Sequence, residues 1–248
     1  MPRNAIASVV VLVLFGVAVC PAQEPNQLSK EEQDQGFVSL FNGKDLTGWV
    51  VMGKKEQWTA ADGLLKCLGA PGGWLRTERE YTDFELRLEF NNTPKTNSGV
   101  FLRATENGNP AFTGMEIQIM DDAGNKNPAK GSTGAAYAAV APAVVATKPP
   151  GEWNSYDITL KGMQLKVILN GQTLYDVDLS DPKLNEEVAQ SAADGLKARI
   201  AKAEKEGKTP PTEPEYKPFT ERAKTGFIGL QNHGHEIEFR NIRIKVLQ

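Results

Sequence analysis

Residues 83–90 read Asp-Phe-Glu-Leu-Arg-Leu-Glu-Phe, a strict alternation of charged and apolar side chains. A period of two is the side-chain period of an extended strand, not of a helix. Phe84, Leu86, Leu88 and Phe90 share one face, and Glu85, Arg87 and Glu89 the other. A strand with one apolar face is stable only inside a sheet packed on something else, so this stretch commits the chain to a layered β structure. Further short β runs are expected at 98–103, 115–120, 156–160, 165–169, 173–177, 226–230 and 237–246, the last interrupted near Arg240-Asn241. Asn170-Gly171 falls between two of them and signals a two-residue hairpin. The 23 glycines and 15 prolines among 248 residues suit a turn-rich fold of this kind. Strands of this length at this spacing indicate an antiparallel sandwich.

Two segments depart from the pattern. Residues 185–206 hold no β run, and Val188, Ala192, Leu196 and Ile200 recur every four residues, as on one face of a helix. Asp181-Pro182 precedes them and Gly207 follows. The expectation is a helical insertion, about 183–207 within a departure spanning 181–220, packed at the sandwich edge or lying over a binding face. The N-terminus begins with Arg3, an apolar run from Ala5 to Val19, and Cys20-Pro21-Ala22. That is the composition of a secretory signal peptide cleaved after Ala22. The expected organisation is therefore a signal peptide at 1–22, a loose polar leader at 23–35, and a single sandwich domain at 36–248. The protein is expected to be exported, periplasmic or extracellular, with no membrane association after cleavage. Only Cys67 then remains, which leaves no internal disulfide; in Leu-Leu-Lys-Cys-Leu it reads as a small buried apolar side chain.

A formal charge of −3 and a pI near 5.6 argue against nucleic acid as a partner, since phosphate binding needs a basic surface. The sequence has no glycine loop for phosphates, no paired Cys-x-x-Cys, no His-Glu-x-x-His and no Gly-x-Ser-x-Gly. His233 and His235 are the two histidines, too few for a multi-histidine metal site. What remains is polar residues alternating with core residues. Glu116 and Gln118 oppose Ile117 and Ile119. Gly229, Gln231 and His233 oppose Ile228 and Leu230, and Phe101 with Arg103 opposes Val100 and Leu102. Such a face of planar polar groups and aromatics suits sugars, whose hydroxyls and apolar ring faces it can meet. Gly99 and Gly229 add to this, because a glycine inside a strand weakens it unless something must approach the backbone closely. Trp74 and Tyr137, beside glycines, are the candidates for stacking on a sugar, whereas Trp49, Trp58 and Trp153 read as packing. Asp121 and Asp122 could offer oxygens to Ca2+, but their spacing is not the helix-loop-helix calcium pattern and turn formation accounts for them. No cofactor is implied.

Several blocks resemble the 3-keto-disaccharide hydrolase domain family: Gly36-Phe37 through Leu46-Thr47-Gly48-Trp49, Tyr81-Thr82-Asp83-Phe84, Asn97-Ser98-Gly99-Val100-Phe101-Leu102-Arg103, and Met115-Glu116-Ile117-Gln118-Ile119-Met120-Asp121-Asp122. Thr133-Gly134-Ala135-Ala136-Tyr137, Pro150-Gly151-Glu152-Trp153-Asn154, Gly229-Leu230-Gln231-Asn232-His233-Gly234 and Ile237-Glu238-Phe239-Arg240-Asn241 continue it in order over about 36–248. The resemblance implies a concanavalin-A-like jelly roll acting on sugars already oxidised to a ketone at C3. Two departures stand out: the helical segment is longer than in the family, and Asn232 occupies a position where the family suggests Asp.

A ketone at C3 acidifies the proton at C2, so a base can remove it and expel the C1 substituent, after which water adds back. That route needs a base, an acid and donors for an enolate oxygen. On this reading Glu116 and His233 act as base and acid in either order. Arg103, Gln118 and Gln231 hold the ketone and hydroxyls, Lys148 is a further candidate to stabilise an enolate, and Asp121, Trp74 and Tyr137 complete the expected substrate-binding residues. A non-catalytic carbohydrate-binding module is the alternative, as is a conventional glycosidase pairing Glu116 with Asp121 or Asp122.

Overall fold

The computed structural model describes residues 25–69 and 72–248, and the expected signal peptide lies outside them. Two antiparallel sheets face one another. The five-stranded sheet contains β2 (Trp49–Met52), β5 (Trp74–Tyr81), β7 (Asn97–Ala104), β8 (Met115–Met120) and β12 (Gly226–Gln231), in the order β2-β5-β12-β7-β8. The larger sheet contains β3 (Trp58–Ala61), β4 (Leu64–Leu68), β6 (Phe84–Asn92), β9 (Asn154–Lys161), β10 (Gln164–Leu169), β11 (Gln172–Asp178) and β13 (Glu236–Val246), in the order β11-β10-β9-β6-β13-β4-β3. The short β1 (Val38–Ser39) pairs with the C-terminal half of β13, beyond the stretch that pairs with β4. Three α-helices are described: α1 (Lys30–Asp34), α2 (Pro110–Thr113) and α3 (Pro182–Lys205). This is the all-β jelly-roll sandwich expected, with its helical insertion.

The core lies between the sheets. From β6 it takes Phe84, Leu86, Leu88 and Phe90, and from β8 and β12 it takes Ile117, Ile119, Ile228 and Leu230, all fully buried. Each such side chain contributes about 1.5–3 kcal/mol by leaving water. Cys67 is buried among them as a free thiol. The Asn170-Gly171 hairpin joins β10 to β11 with φ of 51° and 78°, the two positive values a type I′ turn requires. The break in the last strand is also present: the register of β13 on β6 shifts between Arg240 and Arg243, and Asn241 has φ 53°.

The described part of the leader, residues 25–35, is docked on the sandwich. Ser29 and Glu32 form a reciprocal capping box on α1, and Glu32 is buried against Arg243 at 2.5 Å. Asn26 and Asn241 exchange backbone-to-side-chain hydrogen bonds of 2.6 and 2.9 Å. Nothing local signals this docking, because the ion-pair partners of Glu32, Arg87 and Arg243, lie more than fifty residues away in the chain.

α3 starts at Asp181, whose carboxylate accepts from Leu184 N at 2.9 Å, with Pro182 in the first turn. Its first half docks: Val188 joins the main core and Ala192 is buried, whereas Leu196 and Ile200 are only half-buried. Asn185 then ties the helix base to Leu179 O, Asp181 O and Thr220 N.

Candidate functional site

A cavity of about 370 Å³ opens on the outer face of the five-stranded sheet, away from the core. Glu116 and Gln118 rise from β8, Phe101 from β7, Trp74 from β5 and Gln231 from β12. Tyr137, Phe112 and Glu215 come from segments outside the sheet, and His233 with Asn232 from the loop that follows β12. Strand alternation puts Glu116 and Gln118 here, because Met115, Ile117 and Ile119 are drawn into the core. The loop at 133–137 runs beside β8 as an improvised strand: Gln118 N donates to Ala135 O, Gly134 N to Gln118 O, and Tyr137 N to Glu116 O at 2.9 Å. From below, Tyr156 of the larger sheet donates its hydroxyl to Gln118 O at 2.6 Å. Glu116 thus stands on a strand fixed on several sides.

Alternation alone, which puts Glu116 on the face away from the core, predicts an exposed side chain; it is 3% exposed. It fits because its neighbour on β7 is Gly99: a Cβ there would come within 2.7 Å of Glu116 Cγ and closer still to Oε1. Gly229 plays the same part for Trp74, whose ring a Cβ would meet at 2.5 Å. The close approach that the two strand glycines signal is therefore made by the protein's own site residues. Trp74 in turn meets Phe101 edge to face, with ring centroids 5.6 Å apart.

Burial pushes the Glu116 carboxyl up to about 8, against a smaller opposing pull from the Gln231 side chain. Glu116 Oε1 and Gln231 Oε1 are buried without a hydrogen-bond partner in the protein. Gln118 spends its Oε1 on Ile119 N at 3.0 Å, which leaves its NH2 end as a donor. The Tyr137 hydroxyl is raised by burial first and then by the Glu116 and Glu215 carboxylates. A carboxyl that is neutral at pH 7, beside amide groups and a cavity, can hold and deliver a proton.

His233 lies in the loop after β12 and is exposed, not on the strand as expected, because β12 ends at Gln231. Asn232, buried just before it, donates to Gln57 Oε1 at 3.1 Å and to Gly72 O at 3.4 Å, while its Oδ1 accepts from Gly234 N at 2.9 Å. An Asp carboxylate could not make the two donor bonds, so Asn at this position holds the turn that presents His233.

Three of the expected substrate-binding residues are not brought to the cavity. Between β7 and β12 the register runs Phe101↔Gly229 and Ala104↔Phe227, three steps against two. That is a β-bulge, and Arg103 within it has φ 52°. The alternation is reset, and Arg103 points to the end of the sandwich, where it donates to Thr82 O at 2.6 Å, Gly162 O at 2.9 Å and Asp83 Oδ1 at 2.8 Å. Lys148 Nζ donates to Trp153 O at 2.9 Å. Asp121 accepts from Lys95 N at 2.7 Å, and Asp122 from Thr133 N and Oγ1 at 2.8 Å, so both close turns. Among the described residues no three His, Cys, Asp or Glu side chains gather as a metal site would need. Glu116, Gln118, Gln231, His233, Trp74 and Tyr137 do share the cavity. Glu215, Phe112 and Asn97 also line it and were missed; Glu215 sits in a Pro/Glu/Lys stretch with no local signal of a site.

Known proteins resemble this chain along nearly its whole length. A 3-keto-disaccharide hydrolase of Bacteroides thetaiotaomicron is 28% identical over 91% of this chain and 83% of its own. Crystal structures of two candidate glycosyl hydrolases from Parabacteroides distasonis superpose with TM-scores of 0.71 and 0.63. They are 27% and 32% identical, cover 91% and 85% of this chain, and are themselves covered to 100% and 99%. The sequence pattern of the 3-keto-alpha-glucoside-1,2-lyase-like domain matches residues 36–245, and the chain belongs to that family.

Proposed function

We propose that the protein cleaves 3-keto-glucosides and 3-keto-disaccharides by elimination followed by addition of water. The observation that carries this is Glu116, a buried carboxyl at the floor of a sugar-sized cavity, where burial pushes its pKa up to about 8. A base removes the C2 proton, which the C3 ketone acidifies, and the electron pair moves into an enolate. The enolate collapses to a C1–C2 double bond as the C1–O bond breaks. Glu116 delivers its proton to the departing oxygen, and His233 at the rim is the candidate base. The NH2 of Gln118 and the amide of Gln231 face the same space and supply donors for the enolate oxygen. Water then adds across the double bond, hydroxyl to C1 and proton to C2, and the sum is hydrolysis. Trp74 and Phe101 offer ring edges and faces to the apolar side of the sugar.

A conventional glycosidase needs two carboxylates flanking the bond. Asp121 and Asp122 are engaged in turns outside the cavity and do not pair with Glu116; Glu215 is the other carboxylate that lines it, so the substrate decides between the two routes. The test is incubation with a disaccharide and with its 3-keto form. Release of free sugar from only the keto form is expected. Cleavage of the plain disaccharide would make it an ordinary glycosidase, and binding without turnover a carbohydrate-binding module.

A further inference from the structure

We propose that the segment following α3, through Glu215 and Tyr216, recognises the second sugar of the substrate, the group that departs from C1, and so sets which glycosides are accepted. This rests on the function proposed above. The keto ring has to lie over Glu116, Gln118 and Gln231, since its C1 to C3 atoms must be within their reach. The wall those residues do not make is contributed by Phe112, Tyr137 and Glu215.

That wall is built as a unit. Tyr216 stacks on Phe112 with ring centroids 4.7 Å apart and planes at 27°, and Phe112 meets Tyr137 at 6.0 Å and 31°. The Tyr216 hydroxyl shares a hydrogen bond of 2.8 Å with Ser191 Oγ on α3. Ser191 adjoins Ala192, one of the buried residues that seat α3 on the sandwich. The insertion is thereby anchored to the core at one side and delivers Glu215, the second carboxylate of the cavity, at the other. As the carboxylate on an otherwise aromatic wall, it can accept hydrogen bonds from sugar hydroxyls.

The experiment compares wild type, Glu215→Gln and Tyr216→Ala on a 3-keto-α-glucosyl disaccharide and on methyl 3-keto-α-glucoside, which lacks the second sugar. The KM for the disaccharide should rise roughly tenfold in Tyr216→Ala and about fivefold in Glu215→Gln. Constants for the methyl glycoside should stay within about twofold of wild type, with kcat little changed for either substrate. Equal effects on both substrates, or no effect on the disaccharide, would overturn the proposal. Should Tyr216→Ala not fold, Glu215→Gln tests the same wall without loss of packing. Calorimetric binding of the unoxidised disaccharide separates this inference from the reaction. Weaker binding by the variants when wild type turns nothing over removes the reaction and leaves the wall; equal binding by wild type and variants removes the wall.

Discussion

At the scale of single residues, Glu116 is costly to the fold and useful to the site. Its carboxyl is raised from 4.5 to about 8, first by burial. The folded state therefore holds a proton that the unfolded chain gives up near its ordinary value. The associated stability is fully present below about 4.5 and is lost as pH rises through about 8. Between these limits wild type should lose about 1.4 kcal/mol per pH unit relative to Glu116→Gln. Denaturant titrations of both proteins at pH 5, 6 and 7 measure this, and parallel pH dependences would show that the carboxyl is not held neutral. That Glu116, Gln118 and Gln231 share the cavity face was legible, because alternation forces polar side chains in core strands onto the face opposite the core. Their burial was not legible, because it comes from Gly99 and the 133–137 loop closing around them.

At the scale of elements, a strand carries side chains to predictable faces only while its register is unbroken. β6 and β8 obey this throughout, which is why their patterns read correctly. β7 does not, and the bulge at Arg103 could be recognised only with its partner β12 in view. Arg103, 2% exposed, clamps three segments and takes no part in the cavity. Arg103→Met should cost about 3 kcal/mol by stranding Asp83 and two carbonyls. Its kcat/KM, measured where the variant is folded, should stay within a few-fold of wild type; a loss of activity without loss of stability would return Arg103 to the site. Gly99→Ala tests the opposite case. Its methyl group displaces Glu116, so activity should fall about 10²-fold. The overpacking should cost about 1–3 kcal/mol. Wild-type activity in that variant would mean that the position of Glu116 is immaterial.

At the scale of the whole molecule, one sheet supplies a rigid floor while loops and the α3 insertion supply the walls. The floor and the sandwich behind it follow from short-range periodicity, which the amino-acid order carries directly. The walls depend on docking between segments far apart in the chain. Glu215 reaches a cavity whose floor begins with Trp74, and nothing local to a Pro/Glu/Lys stretch foretells that. α3 shows the same division, since its period of four was readable but the docking of only its first half was not. In the proposed reaction Glu116 delivers the proton to the departing oxygen. The most direct measurement is kcat/KM for a 3-keto disaccharide against pH, for wild type and Glu116→Gln. Wild type should lose activity above an apparent value near 8, as the carboxyl ionises. Glu116→Gln should be about 10²–10⁴-fold slower and lack that limb. Glu116→Gln activity within a few-fold of wild type, with the alkaline limb retained, would contradict it.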